Sequence, residues 1–275
     1  MYDTERLEAI QALQNALAES DAVAVKAALQ ELDAPQIIDN WGEFAPEHHL
    51  VILTLLPASE AAEVFSHLEE DEQTALLEAL PRWRVKELLG ELYLDDLTDT
   101  LQAVEEEDPE LAEEIKAQLD PETRAEVEEL SEYEEDEAGG LMTSEYIALR
   151  DSMSVEEVLR FLRRAAPDAE QVYYLYVVDA AERLEGVVSL RDLIVADPKT
   201  RVREIMNPDV KYVRTDTDQE VVARMMADYN FQALPVVDEN GVLSGIITID
   251  DVVDVIEEEA TEDIYRLGAV EAPEL

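Results

Sequence analysis

The sequence has no cysteine and only three histidines in 275 residues. Without thiols there is no disulfide frame, no thiolate metal site and no cysteine nucleophile. Three histidines are too few to point to zinc chemistry. Basic residues are scarce as well: 20 Lys and Arg stand against 68 Asp and Glu, a formal net charge of −48. Nucleic acids and anionic membranes both recruit clustered basic residues, so neither is expected as a direct partner. The longest uncharged apolar stretch, residues 50–59, is far short of the roughly 18 residues a bilayer span needs. No N-terminal signal is visible. Catalytic signatures are missing too: there is no Gly-x-x-x-x-Gly-Lys loop, no Gly-x-Ser-x-Gly elbow and no His-Glu-x-x-His pair. His48 and His49 are adjacent and so diverge on a helix, and His67 stands alone on what reads as surface. The expectation is a protein that is not an enzyme. What is present is a 47% hydrophobic fraction, ordinary for a globular chain, so the acidity does not imply disorder. The length suits two domains. These features describe a soluble, acidic, intracellular chain that interacts with cations.

Residues 1–131 read as helix after helix, rich in Glu, Ala and Leu, with apolar residues at three- and four-residue spacing. A repeat of 24 residues runs through them: Leu55-Leu56-Pro57 returns as Ala79-Leu80-Pro81, and Ala62-Glu63-Val64 aligns with Lys86-Glu87-Leu88. Stacked helical hairpins bury one another's apolar faces, which predicts a superhelix of short helices. Glu132 to Glu137, followed by Ala138-Gly139-Gly140, marks a boundary, because crowded acids repel and a glycine pair ends a helix. Strands and helices alternate after it, and this pattern is duplicated over 132–200 and 201–250. Leu141-Met142-Thr143 aligns with Ile205-Met206-Asn207, and each copy carries a hairpin, with Asn240-Gly241 as the clearer turn. Each hairpin ends in a capped strand-to-helix junction, Ser189-Leu190-Arg191-Asp192 or Thr248-Ile249-Asp250-Asp251. Ser154 to Glu157 and Thr217 to Glu220 also read as capping boxes. Two such units facing each other make one α/β domain with a pseudo-twofold axis.

The final segment, 251–275, continues a long helix from Asp250 to Leu267, with Gly268 at its C-cap position. Ile249, Val253, Ile256, Ala260, Ile264 and Leu267 share one side, and Asp250, Asp251, Asp254, Glu257, Glu258 and Glu262 share the other. Like charges at this spacing weaken a helix. The row becomes favourable when cations lie along it.

Paired units with Met-Thr or Met-Asn-Pro starts and Gly-Val-Val-Ser or Gly-Ile-Ile-Thr ends resemble tandem CBS domains, which are sensory and dimerising modules. Three features together are similar to the cytosolic region of the MgtE family of magnesium channels. They are the acidic helical N-domain, the run Glu134 to Thr143, and Thr261-Glu262-Asp263-Ile264-Tyr265-Arg266-Leu267-Gly268. The fold class this implies is α + α/β: an N-terminal superhelix, a tandem CBS pair and a long connecting helix that helps plug a pore. In that family a transmembrane bundle follows, so the resemblance and the lack of a span lead to the expectation of an isolated cytosolic part, at the cytoplasmic side of the membrane.

The resemblance implies that Mg²⁺ binds between the N-domain, the CBS domains and the connecting helix. Its implied ligands are Glu63, Asp95 and Asp99, then Asp218 and Glu220, then Asp251, Asp254, Glu258, Glu259, Glu262 and Asp263. Each also has a plainer reading, as surface acid or helix cap. Asn230 departs from the aspartate expected there. Nucleotide-binding CBS domains further imply an ATP site at Tyr174, Ser189, Arg191 and Asp192, with Phe231 from the second unit; Asp250-Asp251 would repel phosphate in the second copy. The expected partners are Mg²⁺, a second copy through the CBS domains, and a transmembrane domain. Three accounts compete: Mg²⁺ sensing, adenine-nucleotide sensing with Mg²⁺ secondary, and acidity that only solubilises.

Overall fold

The computed structural model describes residues 2–134, 136–165, 172–253 and 255–256. They form two compact units that divide between Ala125 and Glu126. The first contains α1 (Tyr2–Ala18), α2 (Ala22–Leu29), α3 (Ala34–Asp39), a 3₁₀ turn (Trp41–Glu43), α4 (Pro46–Leu55) and α5 (Ala58–Ser66). It continues with α6 (Glu70–Ala79), α7 (Arg82–Leu89), α8 (Leu94–Glu107) and α9 (Pro109–Lys116), and α10 (Pro121–Leu130) crosses into the second unit.

Local chemistry sets these helices. Aspartate before a proline-led first turn recurs. The Asp33 carboxylate accepts the Gln36 N–H at 3.0 Å, and Asp108 accepts those of Glu110 and Leu111 at 3.0 and 3.1 Å. Asp120 accepts from the Thr123 hydroxyl at 2.7 Å and from two backbone N–H groups, and the hydroxyl bond chiefly holds its carboxyl below the ordinary range. Each cap satisfies donors that a helix start leaves open, and proline costs nothing where no N–H is needed.

The 24-residue repeat is built into the helix starts: α4, α6 and α8 begin at Pro46, Glu70 and Leu94. Helices pack on the next but one, α3 on α5, α4 on α6, α5 on α7 and α6 on α8. The expected superhelix of short helices is therefore the form taken. The repeat also reuses one polar contact. In α4, the buried His49 presents Nε2 to the Trp41 carbonyl at 3.3 Å. One repeat on, buried Gln73 donates to the Phe65 carbonyl at 3.0 Å. The third copy carries Leu97, which cannot make the bond. His49 also stacks on Trp41 with ring centroids 4.1 Å apart and presents Nδ1 to Glu72 at 2.7 Å. His49 is thus a packed core residue, whereas the adjacent His48, which diverges from it on the helix, is half-buried.

The second unit contains β1 (Ala148–Arg150), α11 (Val155–Ala165), β2 (Tyr174–Val178), β3 (Leu184–Ser189), α12 (Leu190–Val195) and α13 (Val202–Ile205). It ends with β4 (Val213–Arg214), α14 (Gln219–Tyr229), β5 (Ala233–Val237) and β6 (Leu243–Thr248), then helical backbone at 249–253 and 255–256. Each copy is one three-stranded sheet, β1-β2-β3 or β4-β5-β6, with a parallel then an antiparallel pairing. Most of the expected connecting helix lies outside the described residues.

The two copies interlock. Thr143, at the start of the first, exchanges both backbone hydrogen bonds with Ile246 of β6, at 2.9 and 3.0 Å. Asn207, at the start of the second, does the same with Val187 of β3, at 2.8 and 3.0 Å. Each motif's leading segment therefore extends the other motif's sheet, which realises the pseudo-twofold. Gly186 and Gly245 permit it. A Cβ on Gly186 would lie 2.9 Å from the Asn207 carbonyl oxygen, and one on Gly245 would lie 2.7 Å from both the Thr143 oxygen and the Met142 sulfur. The glycine of the Gly-Val-Val-Ser and Gly-Ile-Ile-Thr signatures is a close-approach residue. The hairpin turns also meet: the Leu184 N–H donates to the Gly241 carbonyl at 3.1 Å, and the Leu243 N–H to the Glu182 carbonyl at 3.0 Å.

Beneath the first sheet lies a core that includes Leu149, Val155, Val158, Leu175, Val177 and Leu193. On the opposite face, Tyr176 and Val178 pack against Leu243 and Ile246 of the second copy. Tyr146 sits beside this seam and donates its hydroxyl to the Leu243 carbonyl at 2.9 Å. Burial pushes its phenol up to about 12.

Candidate functional site

The first group of candidate residues lies in the helical unit. Glu63, on α5, is exposed, and so is Asp99 on α8. Asp95, one turn earlier on α8, is only 8% exposed. It shares the buried stripe of Leu94, Leu97, Thr98 and Leu101, so the two aspartates expected on one acidic face differ in their access to solvent. Among the described residues, no three Asp, Glu or His side chains converge as a metal-binding group. At the exposed positions, Glu63 and Asp99, the donors are hard carboxylate oxygens facing water. That set suits an ion such as Mg²⁺, which keeps most of its hydration shell and touches one or two carboxylates.

In the second unit Asp218 and Glu220 open α14. The sequence suggests a capping box with Thr217 as the cap and Glu220 as its partner. The structure corrects this: Asp218 is the cap and accepts the Glu220 N–H at 2.9 Å. The Thr217 hydroxyl is taken by the Arg214 N–H at 3.0 Å. Glu220 is left on the exposed first turn, 3.8 Å from Arg224. Asp251 reaches back to Thr248, accepting from the Thr248 N–H at 3.1 Å and the Thr248 hydroxyl at 2.8 Å. Asn230 ends α14 at φ 53°, the left-handed region that asparagine tolerates, so the amide there serves the helix end. Asp254, Glu258, Glu259, Glu262 and Asp263 lie outside the described residues.

The nucleotide candidates are better assembled. Tyr174 on β2 is the cross-strand partner of Ser189 on β3. The Ser189 hydroxyl donates to Asp192 Oδ2 at 2.5 Å and accepts the Asp192 N–H at 3.1 Å. This box fixes the start of α12, which also carries exposed Arg191. The second copy places Ala233, Thr248, Asp250 and Asp251 at the equivalent positions, so it offers no aromatic ring and an acid where the first has arginine. Strand alternation puts Tyr174 and Tyr176 on one face of the first sheet. Burial raises the Tyr176 phenol well above its ordinary range, and its oxygen has no hydrogen-bond partner among the described residues. A half-exposed ring, a locked carboxylate, a guanidinium and a nearby unsatisfied hydroxyl fit a ribose- and phosphate-bearing ligand. Phe231 lies on the α14–β5 connection, stacked on Tyr229 with centroids 5.3 Å apart.

Sequence reasoning passed over one cluster. Arg160 and Arg164 on α11, at helical i, i+4 spacing, and Arg201 before α13 line one open depression. The spacing was visible; the approach of Arg201 was not.

Two family profiles match the chain: one described as the MgtE intracellular N domain, over residues 32–136, and one described as a CBS domain, over 138–199 and 202–258. The magnesium transporter MgtE of Thermus thermophilus is 63% identical over 263 residues, covering 96% of this chain and 58% of that protein. Among solved structures, the cytosolic domain of the Mg²⁺ channel MgtE in complex with ATP superimposes with a TM-score of 0.86 at 63% identity. That comparison covers 90% of this chain and 99% of that one. The soluble part of a magnesium transporter gives 0.81 at 32% identity, covering 93% and 99%.

Proposed function

The chain belongs to the MgtE family, and from that premise we propose that it is the Mg²⁺-sensing regulatory region of a Mg²⁺ channel. It would lie on the cytoplasmic side of the membrane, with a transmembrane domain completing the full-length protein. The family is one of transporters rather than enzymes. The observation that carries the proposal is coverage: an N-domain and a CBS pair, in one order, account for 99% of the cytosolic domain of a Mg²⁺ channel at 63% identity.

The physical basis is charge. With 68 acids and 20 bases, at least 48 carboxylates have no basic side chain of their own. Two carboxylates 4 Å apart repel by about 4 kcal/mol at an effective dielectric near 20, and a divalent ion between them reverses the sign. In this reading Glu63, Asp95 and Asp99 of the helical unit share hydrated Mg²⁺ with Asp218, Glu220 and Asp251, and the connecting-helix acids Asp254, Glu258, Glu259, Glu262 and Asp263 extend the set. Ions that bind the compact arrangement better than the open one shift the equilibrium toward it. High Mg²⁺ closes the pore, and low Mg²⁺ lets the units separate. The CBS domains pair two copies.

Small-angle scattering tests this. Millimolar MgCl₂ is expected to shrink the radius of gyration relative to chelator, while KCl at matched ionic strength does not. The pair Glu63→Gln and Asp99→Asn moves the midpoint to higher Mg²⁺. Superimposable profiles, or equal compaction by KCl, reject the proposal.

A second reading, ATP sensing, is favoured by the Tyr174–Ser189–Asp192 arrangement beside the unsatisfied Tyr176 hydroxyl. Calorimetry in magnesium-free buffer is expected to show ATP binding that Asp192→Asn weakens about tenfold or more, the worth of a charge-assisted hydrogen bond. ATP binding that is absent, or indifferent to that change, removes this reading.

A further inference from the structure

We propose a second anion site, for a phosphoryl group, beside α11 of the first CBS motif, where Arg160, Arg164 and Arg201 line an open basin of about 450 Å³. The setting makes it notable. A chain with 20 basic residues and a net charge of −48 places five of them, Arg160, Arg163, Arg164, Arg201 and Arg203, on α11 and the nearby start of α13. Complementing the α11 dipole accounts for basic residues in its last turn. It does not account for Arg201, which arrives from 49 residues away and donates to the Ser152 carbonyl at 2.6 Å.

Two acids of α11 beside the basin, Glu156 and Glu157, are already engaged. Glu157 accepts from the Ser154 hydroxyl at 2.7 Å and the Ser154 N–H at 2.8 Å, and lies 3.8 Å from Arg201. Glu156 pairs with Arg160 at 3.0 Å across one exposed helical turn. Among the described residues Arg164 has no carboxylate within ion-pair distance. Three guanidiniums against Glu156 and Glu157 leave one positive charge in excess, centred on Arg164, and guanidinium forks match phosphoryl oxygens in pairs. Phe161 and Met153 give the basin an apolar wall. The site shares no residue with Tyr174, Ser189, Arg191 and Asp192, so it goes beyond the reading above.

The probe is inorganic pyrophosphate, titrated into the full chain in chelator so that Mg²⁺ plays no part. One-to-one binding is expected, weakening with added salt. Arg164→Gln and Arg160→Gln, both at exposed positions that leave the fold intact, should each weaken it about tenfold. Arg191→Gln should leave it unchanged. Co-sedimentation with phosphatidylglycerol vesicles separates the sources: vesicle binding lost in Arg164→Gln, without pyrophosphate binding, keeps the site and assigns it to a lipid headgroup. No binding of either probe, binding indifferent to Arg160 and Arg164, or binding lost only with Arg191, overturns the proposal. None of these outcomes depends on whether Mg²⁺ compacts the protein.

Discussion

Arg84→Met is expected to destabilise the helical unit by about 3 kcal/mol, while Arg84→Lys recovers only part of the loss. Arg84 is 3% exposed, more deeply buried than Asp95 at 8%. From α7 it donates through Nε to the Leu53 carbonyl at 2.8 Å and through Nη2 to the Leu56 carbonyl at 2.7 Å. Those carbonyls end α4, where a helix leaves acceptors without intrahelical donors. One side chain therefore closes the end of one helix from the helix three further along, and the partial negative charge there favours a cation. Glu87, 3.3 Å away, completes the neutralisation. Methionine keeps the length and packing but strands two buried acceptors, each costing about 1–3 kcal/mol. Lysine reaches one carbonyl and lacks the fork for two. Both tryptophans, Trp41 and Trp83, lie in this unit, so urea unfolding followed by tryptophan fluorescence reads the loss where it occurs. A midpoint unchanged in Arg84→Met would show that the two carbonyls do not depend on it.

How much of this the sequence discloses depends on how local the determinants are. The 24-residue repeat is visible because Leu56-Pro57 returns as Leu80-Pro81, and α4, α6 and α8 start at that spacing. The boxes at Ser154–Glu157 and Ser189–Asp192 and the Thr248–Asp251 contact are visible because both partners lie within four residues. At Thr217 to Glu220 two adjacent residues can both cap, and the choice of Asp218 turns on the Arg214 N–H, which consumes the threonine. The buried state of Asp95 is hidden for a similar reason, since the rotation of α8 is set by what packs against it. Long-range features are the least legible. Arg84 reaches back 31 residues to Leu53, Arg201 reaches Ser152 across 49, and Thr143 pairs with a strand 103 positions on. Nothing in the neighbouring residues signals such contacts, although the glycine in each strand signature marks the place where the pairing happens.

That glycine sets the last expectation. Gly245→Ala should cost about 3 kcal/mol or more, and Gly186→Ala less, although the two substitutions are chemically the same. The difference lies in what the new methyl meets. At 245 it would sit 2.7 Å from the Thr143 carbonyl oxygen and 2.7 Å from the Met142 sulfur. The methionine can swing aside, but the carbonyl belongs to a backbone held at both ends by its hydrogen bonds to Ile246. At 186 the corresponding distances are 2.9 Å to the Asn207 oxygen and 3.1 Å to the Met206 sulfur, so a smaller shift suffices. Relief at 245 means pushing residues 142–143 off β6, which unpairs the exchange that joins the two motifs. Amide hydrogen exchange should therefore rise first at Thr143 and Ile246 in Gly245→Ala, before the core at Leu175 and Val177 opens. Because Ile246 also packs against Tyr176 across the motif seam, the same variant should weaken ATP binding at the first motif without altering any residue of that cleft. If protection at Thr143 is unchanged and both glycine variants unfold alike, the interlock is not what fixes glycine at these positions.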